Sequence, residues 1–65
     1  MTIGESIKTM RTNNGMTQKE LSLLSGISVT SIQYYESGKF TPKIEQVRKI
    51  AKAMNASVIS IIGDD

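Results

Sequence analysis

Residues Thr17 to Ser37 read TQKELSLLSGISVTSIQYYES, and the fold turns on how this stretch is organised. Thr17 followed three positions later by Glu20 is a capping box, in which a hydroxyl and a carboxylate each satisfy a backbone N–H at the start of a helix. Leu21 and Leu24 follow at i, i+3, which predicts a short helix with these leucines on its inward face. Ser25 and Gly26 end it. Gly26 is expected to take a positive φ, because a turn this tight between helices is easiest for a residue without a Cβ. Ser28 can cap the next helix, on which Ile32 and Tyr35 share one side while Val29, Thr30, Gln33 and Tyr34 fall largely on others. That outer face is nearly uncharged and rich in groups that hydrogen-bond or touch methyls, where an ordinary solvated face would carry lysine and glutamate. It points to a surface that meets something.

Working outward, Thr2 and Glu5 form another capping box, and Ile3, Ile7 and Met10 recur at helical spacing, predicting helix 1 as far as Asn13. Asn13, Asn14 and Gly15 stop it. Beyond Ser37, Gly38 terminates helix 3 and Pro42 is expected to open helix 4 after a short loop. Ile44, Val47, Ile50, Ala51 and Met54 give the strongest helical period in the chain. Asn55 replaces glycine as its stop, and Ser57 caps a last short helix in which Val58, Ile59, Ile61 and Ile62 are all apolar. Four apolar residues in five cannot all face one small core. Val58, Ile59 and Ile62 therefore either form a dimer contact or lie along the edges of the core. SVISII could alternate as a strand, but a lone strand after four helices has no partner.

Sixty-five residues make one expected domain over 1–65, and a chain this short hides only about 60% of the surface its unfolded state exposes. A marginal core would gain from dimerisation. The chain has no cysteine and no histidine, which removes disulfides, Cys/His zinc sites and His-based acid–base catalysis. No metal or other cofactor is expected. Lysine and arginine outnumber acids 8 to 6, and since two acids are Asp64 and Asp65, residues 1–63 carry 8 basic against 4 acidic groups, or +4. That bias is compatible with a polyanionic partner. No apolar run approaches the roughly 18 residues a membrane span needs, and nothing resembles a signal peptide, so a cytoplasmic protein without a membrane partner is expected.

A helix, a turn with glycine at the ninth position counted from Gln18, and a second helix make a helix-turn-helix motif over 17–37. Leu21, Ile27, Ile32 and Tyr35 are placed to lock the two helices together, leaving the first turn of helix 3 free to project. With MTQKELSLLSGIS, TSIQYYESGKFTP and VRKIAKAMNASVISII, the chain from Ile7 to Ile62 resembles the Cro and phage-repressor type of helix-turn-helix protein, the XRE family.

The resemblance implies an all-α, five-helix, lambda-repressor-like domain with helix 3 in the DNA major groove and helix 2 crossing the backbone. It places base contacts at Val29, Thr30 and Tyr34, with Gln33 adjacent. Val29 and the Thr30 methyl suit a thymine methyl, while the Thr30 and Tyr34 hydroxyls suit base edges or phosphate. No arginine stands among them for a bidentate guanine contact. The alternative for Val29 and Tyr34 is plain surface or partial core filling. The resemblance also makes Gln18 and Lys39 phosphate contacts, and Lys43 joins them by proximity. Thr17 and Ser28 are either caps alone or caps that also meet phosphate. Phe40 stands where many relatives carry a polar or basic residue, with sugar, a sister subunit or the domain itself as its neighbour. Arg11 and Glu36 match a partly buried salt bridge between helix 1 and the end of helix 3, and Arg11 is also placed to reach a phosphate.

Three functions compete. The favoured one is a sequence-specific regulator, a repressor binding double-stranded DNA as a homodimer on a palindromic operator. The alternative is a protein-interaction module, such as an antitoxin or antirepressor-like partner. An enzyme is excluded by the missing His and Cys, the scattered glutamates and the lack of a glycine-rich phosphate cradle.

Overall fold

The computed structural model describes residues 2–63; Met1, Asp64 and Asp65, which the expected domain includes, lie outside them. Five helices follow in order: α1 (Ile3–Asn13), α2 (Gln18–Ser25), α3 (Val29–Ser37), α4 (Ile44–Ala53) and α5 (Val58–Ile62). No strand occurs among the described residues, so the SVISII stretch is helical and the fold is all-α. Four helices begin on a side-chain cap, supplied by Thr2, Thr17, Ser28 and Ser57. At Thr2 and Thr17 the box is complete, with Glu5 and Glu20 accepting from the cap residue's own N–H at 2.9 Å. These bonds favour the charged form, so both carboxyls sit below the usual carboxylate range.

The stops also follow from residue type. Gly26 closes α2 at φ +76°, and Asn55 takes φ +53° past α4, the left-handed region in which Asn is tolerated. One apolar cluster joins all five helices, with Ile7 of α1, Leu21 of α2, Ile32 of α3, Val47 and Ile50 of α4 and Ile61 of α5 fully buried. Ile27 in the α2–α3 turn belongs to the same cluster. Each such large side chain stabilises the fold by about 1.5–3 kcal/mol on transfer grounds, so the cluster is what holds so small a body together.

Three expectations are corrected. Leu24 is 62% exposed, because the inward row of α2 runs through Gln18, Leu21, Ser22 and Ser25 and leaves Leu24 on the far side of Leu21. Ile44 is exposed as well, since it is the first residue of α4 and the buried row starts one turn later at Val47. Pro42 does not open α4. The buried proline precedes Lys43, whose carbonyl accepts from Gln46 and Val47 and makes it the N-cap.

At α5 the apolar residues separate. Ile61 is fully buried, Val58 packs half-buried on the core, and Ile59 and Ile62 are exposed. Where α1 crosses α3, Gly4 is buried, and a Cβ built on it would stand 1.9 Å from the Tyr35 carbonyl oxygen. Only a residue without a side chain lets the two backbones approach so closely. No helix among the described residues is long and apolar enough to cross a membrane.

Candidate nucleic-acid interface

The α2–α3 unit presents two helix starts. Capping ties up the Glu20 and Ser31 amides through the hydroxyls of Thr17 and Ser28. The Gln18 and Lys19 amides are left without an intrahelical acceptor at the positive end of α2, an arrangement that suits an anion. Thr17 only accepts in its cap, whereas Ser28 also donates to the Ser31 hydroxyl at 3.0 Å, so its proton is already directed within the helix. Thr30 and Gln33 are exposed on α3, and Val29 and Tyr34 are half-buried beside them. Lys39 and Lys43 are exposed and form no ion pair among the described residues.

Behind this surface lies a polar network. Arg11 reaches across from α1 and donates from Nε to Glu36 Oε2 at 2.7 Å and from Nη2 to Oε1 at 3.0 Å, a two-point match between guanidinium and carboxylate. Its Nη1 donates to the Met16 carbonyl at 2.7 Å. The two side chains are 10% and 4% exposed. The Glu36 hydrogen bonds raise the already high pKa of Arg11 and outweigh its burial. With three donors turned inward, Arg11 holds α1 to the end of α3, and the expected reach to a phosphate is not what this arrangement offers.

Gln18 is the member that sequence reasoning assigned differently. Its side-chain amide donates to Glu36 Oε1 at 3.0 Å and accepts from Gln33 Nε2 at 3.4 Å, so it spans α2 and α3 instead of pointing away. No buried side-chain polar atom among the described residues lacks a partner. Gln33 is thereby tied at one N–H, with its carbonyl oxygen and second N–H still available. The crossing of α2 over α3, which brings Gln18 to Glu36 and Gln33, is a tertiary feature that no local spacing announces.

On the other side of α3, Tyr34, Tyr35, Phe40 and Lys43 line an open cleft of about 690 Å³. Phe40 packs on Tyr34, edge against face, with ring centres 5.3 Å apart. Among its expected neighbours, the structure thus supplies one within the domain. No group of acidic residues among those described could hold a metal ion.

A helix-turn-helix family model matches residues 7–60, a span that takes in the network, both capped helix starts and most of α5. The chain belongs to the XRE-type helix-turn-helix family. Its five helices are those of a lambda-repressor-like fold. It is similar to the antitoxin PezA of Streptococcus pneumoniae serotype 4, 35% identical over 63 residues that cover 97% of this chain and 40% of that protein. The transcriptional repressor RstR of the cryptic phage CTXphi in Vibrio cholerae is 36% identical over 97% of this chain and 56% of its own length. An HTH-type transcriptional regulator of Archaeoglobus fulgidus is 36% identical over 80% of this chain and 74% of its own. The chain thus spans about half the length of two of these relatives and most of the third.

Proposed function

We propose that this chain is a sequence-specific, double-stranded DNA-binding transcriptional regulator and not an enzyme, working in the cytoplasm as a repressor. The observation that carries the proposal is the outer side of the first half of α3, where Thr30 and Gln33 are exposed beside half-buried Val29, held by the Arg11–Glu36–Gln18 network next to the open N-terminus of α2. In this reading α3 enters the major groove, and Val29, Thr30, Gln33 and Tyr34 meet base edges. Phosphate falls to the Gln18 backbone amide, the Thr17 hydroxyl, Lys39 and Lys43, with Ser28 serving mainly as a cap. The exposed isoleucines Ile59 and Ile62, with Val58 at their margin, support a homodimer contact through α5. A two-fold dimer would set its recognition helices about 34 Å apart on a palindromic operator.

Titrating the protein onto duplex DNA at rising salt tests this. Affinity should fall with a log–log slope of about −0.9 per phosphate contacted. A slope near zero would count against DNA as the ligand.

One observation favours a second reading, that of an antitoxin-like or antirepressor-like interaction module: the similarity to PezA covers nearly the whole chain. The two readings part in an experiment with purified protein. A DNA shift that requires a co-purified protein partner would support the second.

A further inference from the structure

Phe40 lies outside the core and its half-buried rim, is 54% exposed, and yet is firmly placed. The placement begins in the backbone. Gly38, at φ +84°, reverses the chain at the end of α3, and the N–H groups of Lys39 and Phe40 both donate to the Tyr34 carbonyl, at 2.9 and 3.3 Å. This clasp folds the two side chains back over the turn that carries Tyr34. The Phe40 ring then meets the Tyr34 ring at 78°, the edge-to-face arrangement that ring quadrupoles favour. The Lys39 Nζ stands 4.5 Å from the Tyr34 ring centre and 5.9 Å from that of Phe40, within reach of both π faces.

We infer that Phe40 is a positioning residue for sequence reading: it fixes the Tyr34 ring and, with it, holds the Lys39 ammonium beside that ring. The inference rests on the DNA-binding reading above. Lysine has among the largest rotamer freedoms to lose on being ordered. A lysine already parked over two rings delivers its charge next to Tyr34 with less of that loss at binding. With the ammonium over one face of the Tyr34 ring, the hydroxyl is the group Tyr34 offers a base pair. Phe40 thus acts on selectivity through its neighbours, without adding a charge of its own.

The test compares wild type, Phe40→Leu, Phe40→Tyr and Lys39→Ala on two duplexes, one recovered by wild-type selection from random DNA and one of shuffled sequence. Phe40→Leu should lower the ratio of selected to shuffled affinity by about three- to tenfold, the range set by aromatic and cation–π contacts, and leave the salt slope at its wild-type value. Phe40→Tyr should restore the ratio. Lys39→Ala should reduce the slope by about one phosphate contact. In the free protein, the Lys39 side-chain protons should be shifted upfield by the rings in wild type and move toward ordinary values in Phe40→Leu, with unfolding still cooperative and the melting temperature lowered only by the several degrees an aromatic pair accounts for. A retained ratio, an equal loss on both duplexes, or unmoved Lys39 protons would overturn the inference. Wild type that prefers neither duplex would instead overturn the DNA reading, and the inference with it.

Discussion

Helix α3 is held by a cation on each of two flanks, and the two holds differ in kind. On the inner flank, Arg11 grips Glu36 at two points with both side chains almost fully buried. On the outer flank, Lys39 rests over Tyr34 and Phe40 at the surface. Burial decides what each can do. A buried ion pair that loses one member strands a charge away from water, at about 3–5 kcal/mol. An exposed cation–π contact contributes about 0.5–1 kcal/mol. The inner hold therefore sets where α3 lies, and the outer hold can be altered without unfolding anything. The inner hold is chiefly one of stability, although Gln33, joined to Glu36 through Gln18, lies on that flank of the nine-residue helix too.

The sharpest way to break this division is Glu36→Ala. It should cost about 3–5 kcal/mol, against a total of roughly 3–10 kcal/mol expected of a domain this size, so thermal unfolding should move down steeply or lose cooperativity. An unchanged melting temperature would erase the distinction between the flanks.

Next in size is Gly4→Ala. Glycine to alanine inside a helix ordinarily stabilises by about 0.5–1 kcal/mol, but the added methyl here meets the Tyr35 backbone. A loss of about 1–3 kcal/mol, typical of overpacking, is expected in chemical denaturation. A gain would show that α1 and α3 can separate freely.

Smaller still is an effect of pH. Glu5 and Glu20 have carboxyls depressed chiefly by the hydrogen bonds they accept from the Thr2 and Thr17 backbone amides. Groups with a depressed folded pKa give stability that is present above the ordinary glutamate range and lost as pH falls through the folded value. Melting temperature should hold from neutral pH down to about the ordinary glutamate pKa, near 4.3, and drop below it. The double variant Glu5→Gln/Glu20→Gln should flatten that drop, and an identical acid profile would remove the boxes from the account.

The smallest stability effect belongs to Lys39→Ala. Losing its exposed contact with the two rings should cost only about 0.5–1 kcal/mol in unfolding, while DNA binding loses about one unit of salt slope. Loss of fold with retained binding would reverse the roles of the two flanks.

Much of the scaffold was legible in the sequence because its signals are local. The capping boxes at Thr2 and Thr17, the caps at Ser28 and Ser57, the left-handed turn at Gly26 and the Asn55 stop each depend on neighbours within four residues. Leu24 and Ile44 were misplaced because a period of three or four residues gives a face but not which edge of that face the partner helices cover. Nothing beside Gly4 in the sequence marks it, since its reason lies at Tyr35, far along the chain. Gln18 and Phe40 resisted for the same cause. Their partners Glu36, Gln33 and Tyr34 are brought to them by the crossing of α2 over α3 and by the reversal at Gly38. The charge count, at +4 over residues 1–63, hinted at a polyanion but did not distinguish the lysines that carry structure from those left free.

The claim underlying both flanks is that the exposed start of α3 reads base sequence, and selection of bound duplexes from random DNA with the purified wild-type protein tests it most directly. The account predicts an enriched inverted repeat whose half-sites are centred about one helical turn, roughly 34 Å, apart. Recovery of no preferred sequence, from protein that is folded and still retains duplex DNA at low salt, would contradict it.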